Sequence, residues 1–208
     1  MLPLLGLLFA GCSSGMMTYQ NPIVKKGGEY AAAIMYSNTE SLEAQGTLGL
    51  GYDVDMSIKF CPLSIISTLW KGENWVPFDL NFKYQVMSKP LYIAAGAGGS
   101  RLVLTGGEVG QKLPHPTFRT SSMSRIFVLA GLENIYCGYQ LNYVSYDRPA
   151  IQFGTQYQYE IPTNRLVGSY IFGASIGKSI RLNPEVHLIP SDSGLQILWG
   201  IGLEYSQQ

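Results

Sequence analysis

The segment LEAQGTLGLGYDVDMSIKF, residues 42–60, alternates between two kinds of side chain over its whole length. Its even positions, from Leu42 to Phe60, are apolar or glycine, and its odd positions are polar or glycine. A period of two is typical of a β-strand with one apolar and one polar face. At about 3.3 Å per residue, one straight strand of this length would measure roughly 60 Å, far beyond ordinary strands. The segment therefore predicts a hairpin, whose three-residue turn at 53–55 keeps both arms in phase.

Similar alternation recurs along the rest of the chain. Together with the two arms of 42–60, eight further runs predict ten strands, and residues 177–194 are expected to form an outer loop. An eleventh strand at 180–189 and a twelfth near 101–105 stay open, because bacterial barrels use an even number of strands. The eight runs are 29–37, 78–87, 91–99, 125–132, 135–143, 151–161, 166–176 and 195–205.

The lengths of the turns agree with the phase of the strands. A two-residue turn exchanges the two faces, and the apolar positions do change from even to odd across Glu133-Asn134. The pattern predicts a meander of hairpins with one common apolar face. Short turns also alternate with longer connections, which is typical of outer-membrane barrels. The short turns are 53–55, 88–90, 133–134 and 162–165, and the longer connections are 63–77, 105–124 and 177–194.

Composition indicates which face meets lipid. Charged residues make up only 13% of the chain, and 14 basic residues balance 14 acidic ones, so no basic footprint suggests nucleic acid. The polar faces are rich in Gln, Asn, Ser, Thr and Gly, whereas a soluble surface would hold more Lys and Glu. Tyr and Trp cluster near the strand ends, as in interfacial belts, and runs of about 9–11 residues suit tilted spans. These features favour an apolar face turned to lipid.

The predicted fold is therefore all-β: an antiparallel up-and-down meander β-barrel of about ten strands, within a range of eight to twelve, that is transmembrane. Over residues 29–205 the chain resembles the small outer-membrane β-barrel superfamily in architecture. That resemblance implies assembly by the barrel-assembly machinery, which in this family recognises an aromatic residue of the last strand. Tyr205 is the candidate, although three residues follow it. A soluble sandwich or lipocalin-type barrel, with the apolar face inside, remains the alternative.

The N-terminus carries a short apolar run, Leu2 to Ala10, ahead of Cys12. Nine residues suit the hydrophobic part of a signal peptide and are too few for a membrane span. The sequence Leu8-Phe9-Ala10-Gly11-Cys12 resembles the lipobox of bacterial lipoproteins, with Phe where Leu is commoner and no basic residue before the run. The resemblance implies cleavage before Cys12 and acylation of its thiol and new amine, with palmitate among the acyl groups.

The expected chain has three parts. They are a lipoprotein signal peptide at 1–11, the lipidated Cys12 with a tether at 12–28, and the β-barrel domain at 29–208. Two or three acyl chains anchor a protein stably, and Ser13 is compatible with sorting to the outer membrane, by resemblance to enterobacterial lipoproteins. The expected location is thus the bacterial outer membrane, with outer-membrane lipid as a partner and both chain ends in the periplasm.

Residues with catalytic or metal-binding chemistry are scarce. The spacing of Cys12, Cys61 and Cys137 matches no metal motif. His115 lies in the longest loop and is expected to be a solvated loop residue. His187, with serines and acids nearby, could in principle build a hydrolase, but the spacing matches no known pattern. The sequence therefore predicts no catalytic, cofactor or metal site, and a lipid-modifying barrel enzyme is an alternative.

The polar faces are expected to line the lumen, the space enclosed by the barrel. Because eight to ten strands leave an interior barely wider than its own side chains, a hydrogen-bonded plug is favoured over a narrow solute pore. The leading hypothesis is a lipid-anchored outer-membrane barrel without catalysis, acting as a structural or surface-interaction protein. The alternatives are the narrow pore and a periplasmic, lipoprotein-tethered soluble barrel that binds an apolar ligand. The predicted lumen-facing residues are Glu43, Asp79, Lys83, Gln140, Gln156, Glu160 and Glu204.

Overall fold

Most of the chain is β-strand in the computed structural model of the protein. The structure describes residues 20–37, 42–60, 62, 78–105, 118–146, 150–153, 156–159, 165–191 and 194–207. No helix long and apolar enough to cross a membrane occurs within these ranges. The strands are β1 (Tyr30–Ser37), β2 (Leu42–Gly51), β3 (Val54–Phe60), β4 (Phe78–Met87), β5 (Tyr92–Thr105), β6 (Phe118–Gly131), β7 (Ile135–Tyr146), β8 (Ala150–Phe153), β9 (Gln156–Tyr159), β10 (Arg165–Ala174), β11 (Ile176–Gly177), β12 (Ile180–Ser191) and β13 (Gly194–Ser206).

Ten of these strands close into an antiparallel barrel. The order around the sheet is β10-β7-β6-β5-β4-β3-β2-β1-β13-β12, and β10 also pairs with β12, which closes the ring. β11 continues the edge of β10 for two residues against β12. The first and last strands are joined through seven residue pairs, from Ala31 opposite Ser206 to Ser37 opposite Gly200. The prediction of an all-β meander barrel of about ten strands is confirmed.

The number of strands agrees with the prediction, but one of the ten was misplaced. Residues 151–161 were expected to cross the barrel, whereas β8 and β9 form a separate two-stranded hairpin. In its register Ile151 lies opposite Gln158 and Gln152 lies opposite Tyr157. The chain therefore folds back within this run instead of crossing the barrel as one strand.

The segment 177–194, expected to be an outer loop, is mostly strand instead. Residues Ile180–Ser191 form β12, which pairs with β13 along its whole length. Pro184 and Pro190 both lie in this ladder, each opposite a residue of β13. The candidate strand at 180–189 therefore takes the place of 151–161 among the ten barrel strands. Residues 101–105 are no separate strand, because they extend β5 to Thr105.

The first hairpin keeps its phase by a different device from the predicted three-residue turn. β2 ends at Gly51 and β3 begins at Val54, so the turn has two residues, Tyr52 and Asp53. Both have positive φ, 52° and 59°, as a primed hairpin turn requires. A register shift between Gly49 and Gly51 adds one residue to β2. The even turn and the bulge together displace the register by an odd number, which leaves both apolar faces on the same side.

The two ends of the barrel differ in the length of their connections. At one end, hereafter the turn end, neighbouring strands are joined by the short segments 52–53, 88–91, 132–134 and 175–179. The opposite end, hereafter the loop end, receives the connections 38–41, 61–77, 106–117, 147–164 and 192–193. Of residues 162–165, expected to be a short turn, 162–164 thus belong to a long connection at the loop end, and Arg165 begins β10. The start of β1 and the end of β13 both lie at the turn end.

The apolar face points outward. Ile34, Ile126 and Leu203 expose 56–61% of their surface, and exposed aromatic and aliphatic side chains cover most of the circumference. The opposite positions of the same strands, such as Glu43 and Asp79, are buried in the lumen. A soluble barrel has the reverse arrangement, whereas a transmembrane barrel has an apolar exterior and a polar interior. The exterior is therefore a lipid-facing surface.

A small apolar cluster lies inside the barrel as well. Phe127, Leu129, Tyr136 and Ile171 are buried together on the inner side of β6, β7 and β10. Strand β6 is apolar on both faces over this part, since Ile126 and Val128 are exposed on its outer side. The interior is consequently packed by apolar side chains at this wall and by polar ones elsewhere.

Candidate functional site in the barrel lumen

Four charged side chains meet in the lumen toward the loop end and form the charge cluster, defined as Glu43, Lys59, Asp79 and Arg125. Lys59 Nζ lies 3.2 Å from Glu43 Oε2 and 3.6 Å from Asp79 Oδ2. Arg125 Nη2 lies 2.9 Å from the same Asp79 oxygen. Asn81 Nδ2 donates to the other Asp79 oxygen at 3.1 Å. The four charges sum to zero and tie β2, β3, β4 and β6 together across the interior.

Because the charge cluster is buried, each of its charges depends on its partners for compensation. The four side chains are 0–6% exposed. A buried ion pair contributes little net stability over an apolar pair, but removing one partner leaves an uncompensated charge at high cost. The cluster therefore holds its neighbours in a fixed arrangement and occupies part of the lumen with side chains.

Residues 20–25 lie inside the barrel at the turn end, and residues 26–28, which lead toward β1, are exposed at its mouth. This lumen segment, residues 20–28, is held chiefly through its backbone. Lys83 Nζ donates to the carbonyl oxygens of Asn21 and Ile23 at 2.8 and 3.2 Å. The backbone N–H of Val24 donates to Gln85 Oε1 at 3.0 Å. Residues 20–28 of the predicted tether are thus held by contacts with the barrel, and residues 12–19 lie outside the described ranges.

Lys25 connects the lumen segment to the last strand. Its Nζ donates to Ser206 Oγ at 2.6 Å and to Glu204 Oε1 at 3.3 Å. Its backbone N–H donates to Asp55 Oδ2 at 3.1 Å, and the same Asp55 oxygen lies 3.3 Å from Lys83 Nζ. At the inner end of the segment, Gln20 Nε2 donates to Ser57 Oγ at 2.6 Å. Lys25 is thus the residue of the segment whose charged group contacts the barrel wall.

The barrel wall has a gap in its side chains where the segment enters. Gly49 of β2 faces inward, and a Cβ built there would lie 1.8 Å from the carbonyl oxygen of Lys26 and 2.6 Å from that of Lys25. Any other residue at this position would collide with the segment backbone. Two backbone hydrogen bonds fasten the entry point, Gly28 N–H to the Gly49 oxygen at 3.0 Å and Gly49 N–H to the Glu29 oxygen at 2.8 Å.

A small cavity lies beside the lumen segment. It measures about 20 Å³ and lies between the segment and the wall, with Gln45, Thr47 and Glu204 among its lining residues. That volume is roughly enough for a single water molecule. The segment therefore packs closely against the wall at this place.

On the wall where β10 meets β12, a second polar group, the seam cluster, consists of Tyr136, Ser169, Glu185 and His187. The Tyr136 hydroxyl donates to Glu185 Oε2 at 2.7 Å. His187 Nε2 lies 2.8 Å from Glu185 Oε1, and Ser169 Oγ lies 3.3 Å from His187 Nδ1. Because a carboxylate only accepts, a neutral His187 with its hydrogen on Nε2 satisfies both contacts. His187 was expected in an outer loop, and it lies instead inside the barrel on β12.

The seam cluster contains the three residue types of a serine hydrolase, but its position argues for a structural role. Ser169 and His187 are 0% exposed and Glu185 is 1% exposed. A nucleophile has to reach the scissile bond of its substrate, and a lipid outside the wall cannot reach a hydroxyl that faces the packed lumen. The cluster does join three strands, β7, β10 and β12, where the barrel closes.

The predicted lumen-facing residues divide into three groups. Glu43, Asp79, Lys83 and Gln140 are buried inside the barrel, and Glu204 faces inward against Lys25. Gln156 lies in β9, in the hairpin apart from the barrel sheet. Glu160 lies outside the described residues, as do Cys12 and His115. Within the described ranges no group of three His, Cys, Asp or Glu side chains could hold a metal ion.

Several residues of the site were not singled out by sequence reasoning. Asp55 and Lys59 stand at odd positions of the 42–60 run, so the period marks them as inward-facing, but only the fold shows which cations and anions meet. Arg125 likewise precedes the apolar run of β6 by one residue. The lumen segment has no period at all, because its contacts are made by backbone groups and not by one side of a strand.

Comparisons with known proteins find likeness only among solved structures. No protein-family model matches the sequence, and no curated protein matches it. The chain is similar to the outer membrane protein Ail of Yersinia pestis in a phospholipid bilayer nanodisc, with a TM-score of 0.38 and 12% identity over 86% of this chain and 99% of that one. It is also similar to Ail of Yersinia pestis in complex with the heparin analogue sucrose octasulfate, with a TM-score of 0.34 and 12% identity over 87% of this chain and 99% of that one.

Proposed function

We propose that this chain is a bacterial outer-membrane β-barrel that does not conduct, and that it acts as a scaffold for contacts made at its loop end. The observation that carries this proposal is the lumen segment, which fills the turn end of the barrel with the chain's own backbone. The charge cluster obstructs the lumen a second time nearer the loop end. A solute would have to displace both obstructions.

The apolar exterior supports the membrane part of the proposal. An outward face of Ile, Leu, Phe and Tyr is suited to lipid and would aggregate in water. A soluble barrel that binds an apolar ligand inside is disfavoured, since the interior holds at least eight charged side chains in pairs and networks. Long connections at one end and short turns at the other suit the outer and periplasmic sides of an outer membrane.

The proposed role involves no catalysis. The seam cluster is assigned to the structure of the wall, because Ser169 faces packed side chains and not lipid. The loop end carries the longest connections and the β8–β9 hairpin, so it is the part of the molecule best placed to contact an external partner.

Lipid anchoring at Cys12 is a second part of the proposal and rests on the lipobox-like sequence alone. Metabolic labelling with palmitate tests it, with Cys12→Ser as the control variant. We expect label in the wild-type protein and none in the variant. Equal labelling of both would remove the anchor from the proposal. Recovery of the folded, signal-less Cys12→Ser variant from the soluble fraction without detergent would contradict the proposal that the barrel spans a membrane.

Conductance measurement in planar lipid bilayers tests the central claim. Purified, folded protein should insert without producing current steps, because the lumen is filled at two levels. Regular, reproducible steps from the wild-type protein would instead establish the narrow pore. A known open porin in the same bilayers serves as the positive control for insertion and detection.

A further inference from the structure

We propose that the turn end of the lumen contains a peptide-binding site that holds a segment by its backbone and selects a lysine at one position, and that residues 20–28 are its resident ligand. This inference rests on the proposed filled lumen and adds its specificity. It follows from which atoms of the segment the barrel contacts.

The barrel wall contacts the first part of the segment through the backbone groups of residues 21–25. Lys83 binds two carbonyl oxygens two residues apart, of Asn21 and Ile23. Gln85 and Asp55 accept from the N–H groups of Val24 and Lys25. Two carbonyl oxygens and two successive N–H groups of the segment are satisfied in this way, so main-chain hydrogen bonds supply most of the contact. None of these four contacts requires a particular side chain on the ligand.

Charge selection is confined to one position. The Lys25 ammonium is bound by Glu204 and Ser206, at 3.3 and 2.6 Å, and its side chain is 13% exposed. The next residue, Lys26, is exposed at the mouth of the barrel. Glu204 is itself oriented by Asn183, whose Nδ2 donates to Oε2 at 3.1 Å. The site therefore distinguishes two neighbouring lysines by geometry.

The segment is also joined to the barrel in the manner of a tethered ligand. Gly27 and Gly28 connect it to β1, and Gly28 has a φ of 85°, which favours glycine. The close approach at Gly49 shows that the wall is shaped around the backbone of Lys25 and Lys26. Because a tethered ligand has an effective concentration of about millimolar, the resident segment should exclude free peptide from the wild-type site.

The test uses full-length protein in detergent and fluorescent nonapeptides, so that it does not depend on conductance. The receptor is the full chain carrying Lys25→Glu, in which the resident segment is repelled by Glu204. The probe is the peptide QNPIVKKGG, residues 20–28, labelled at its C-terminus. Two control peptides carry Lys25→Glu or Lys26→Glu and have identical composition and net charge.

Fluorescence anisotropy should show that the Lys25→Glu chain binds the wild-type peptide and the Lys26→Glu peptide. Binding of the Lys25→Glu peptide should be about tenfold weaker or more, as expected for loss of a charged hydrogen bond. The wild-type chain, whose site is filled, should also bind the probe at least about tenfold more weakly. A full chain carrying Glu204→Lys should reverse the preference and select the Lys25→Glu peptide.

Equal binding of all three peptides, or no binding by a folded Lys25→Glu chain, would overturn the inference. Folding of each variant is checked by its heat-dependent gel mobility. If Lys25→Glu does not fold, Lys25→Met replaces it, because methionine keeps the apolar stem without the charge, and the same order of affinities is expected. Current steps from the wild-type protein would defeat the proposed function and leave these affinities unaffected, so the two failures are distinguishable.

Discussion

The Tyr136 hydroxyl and the Glu185 carboxylate meet at 2.7 Å in the buried interior, although they belong to strands that are not neighbours. The contact passes over Gly173 of β10, which is paired with Tyr136 on one side and Glu185 on the other. A Cβ at Gly173 would lie 2.2 Å from Tyr136 Cζ. Because Gly173 has no side chain, the Tyr136 ring of β7 can pass over β10 and contact Glu185 of β12.

Gly173→Ala should destabilise the barrel by about 1–3 kcal/mol, because the new methyl group displaces the tyrosine ring and separates it from Glu185. The measurement is urea unfolding from lipid vesicles. Gly46→Ala is the matched control, since a Cβ there meets Ile58 Cγ2 at an ordinary 3.9 Å. Equal stabilities of the two variants would contradict the role given to Gly173.

Arg125→Met should cost about 3–5 kcal/mol, because Asp79 then keeps a buried negative charge without its closest cation. The exposed Lys178→Met should change stability by less than about 0.5 kcal/mol. Unfolding in urea measures both. A double-mutant cycle with Asp79→Asn should give a coupling of about 0.5–3 kcal/mol. Additive effects of the two substitutions would show that the pair does not interact.

Ile126→Lys should destabilise the protein in lipid vesicles by about 2–4 kcal/mol, since its side chain points outward near the middle of β6. Ile176→Lys, at the turn end, should cost only about 0–1 kcal/mol because a lysine there reaches the interface. The depth dependence is the informative quantity. If Ile126→Lys left stability unchanged and removed the need for detergent, the exterior would face water.

Gly49→Ala should clear the turn end of the lumen, because its methyl group occupies the place of the Lys26 carbonyl oxygen and expels the lumen segment. The charge cluster remains in this variant, so current steps in planar bilayers should appear only when Gly49→Ala is combined with Arg125→Met. Gly46→Ala combined with Arg125→Met is the control, since it makes the same chemical change on the same strand, and it should stay silent. Silence of the protein that carries both Gly49→Ala and Arg125→Met would contradict the claim that these two obstructions close the barrel.

Much of the barrel could be predicted from the sequence because the signal of a barrel strand is local. Strand positions followed from a period of two, and the phase of successive strands followed from turn lengths. The same reasoning failed at 151–161, where the alternation is as clear as elsewhere but the chain folds back within the run. Alternation indicates a strand of either kind, and only the pairing of the strands shows whether a run stays one strand or folds back on itself.

The lumen contacts were harder to predict because they join residues far apart in the chain. The period marks Asp55, Lys59 and Asp79 as inward-facing, but their pairing depends on how the wall curves. Residues 20–28 carry no periodic signal, and their backbone-mediated contacts with β3 and β4 leave no trace in side-chain type. Glycine at position 49 is the one local sign of the segment, and it is also an ordinary residue for a curved sheet.

The closure between β10 and β12 has a mechanical consequence for the whole wall. Within the described residues these strands pair over Tyr170–Gly173 only, and β11 adds two pairs beyond a break opposite Pro184. By contrast, β5 and β6 share fourteen pairs. The barrel is thus a long curved sheet that is closed by a short ladder between β10 and β12, and the seam cluster reinforces this ladder. The wall should open first along this ladder, with the amide hydrogens that join β10 to β12 exchanging before those that join β5 to β6.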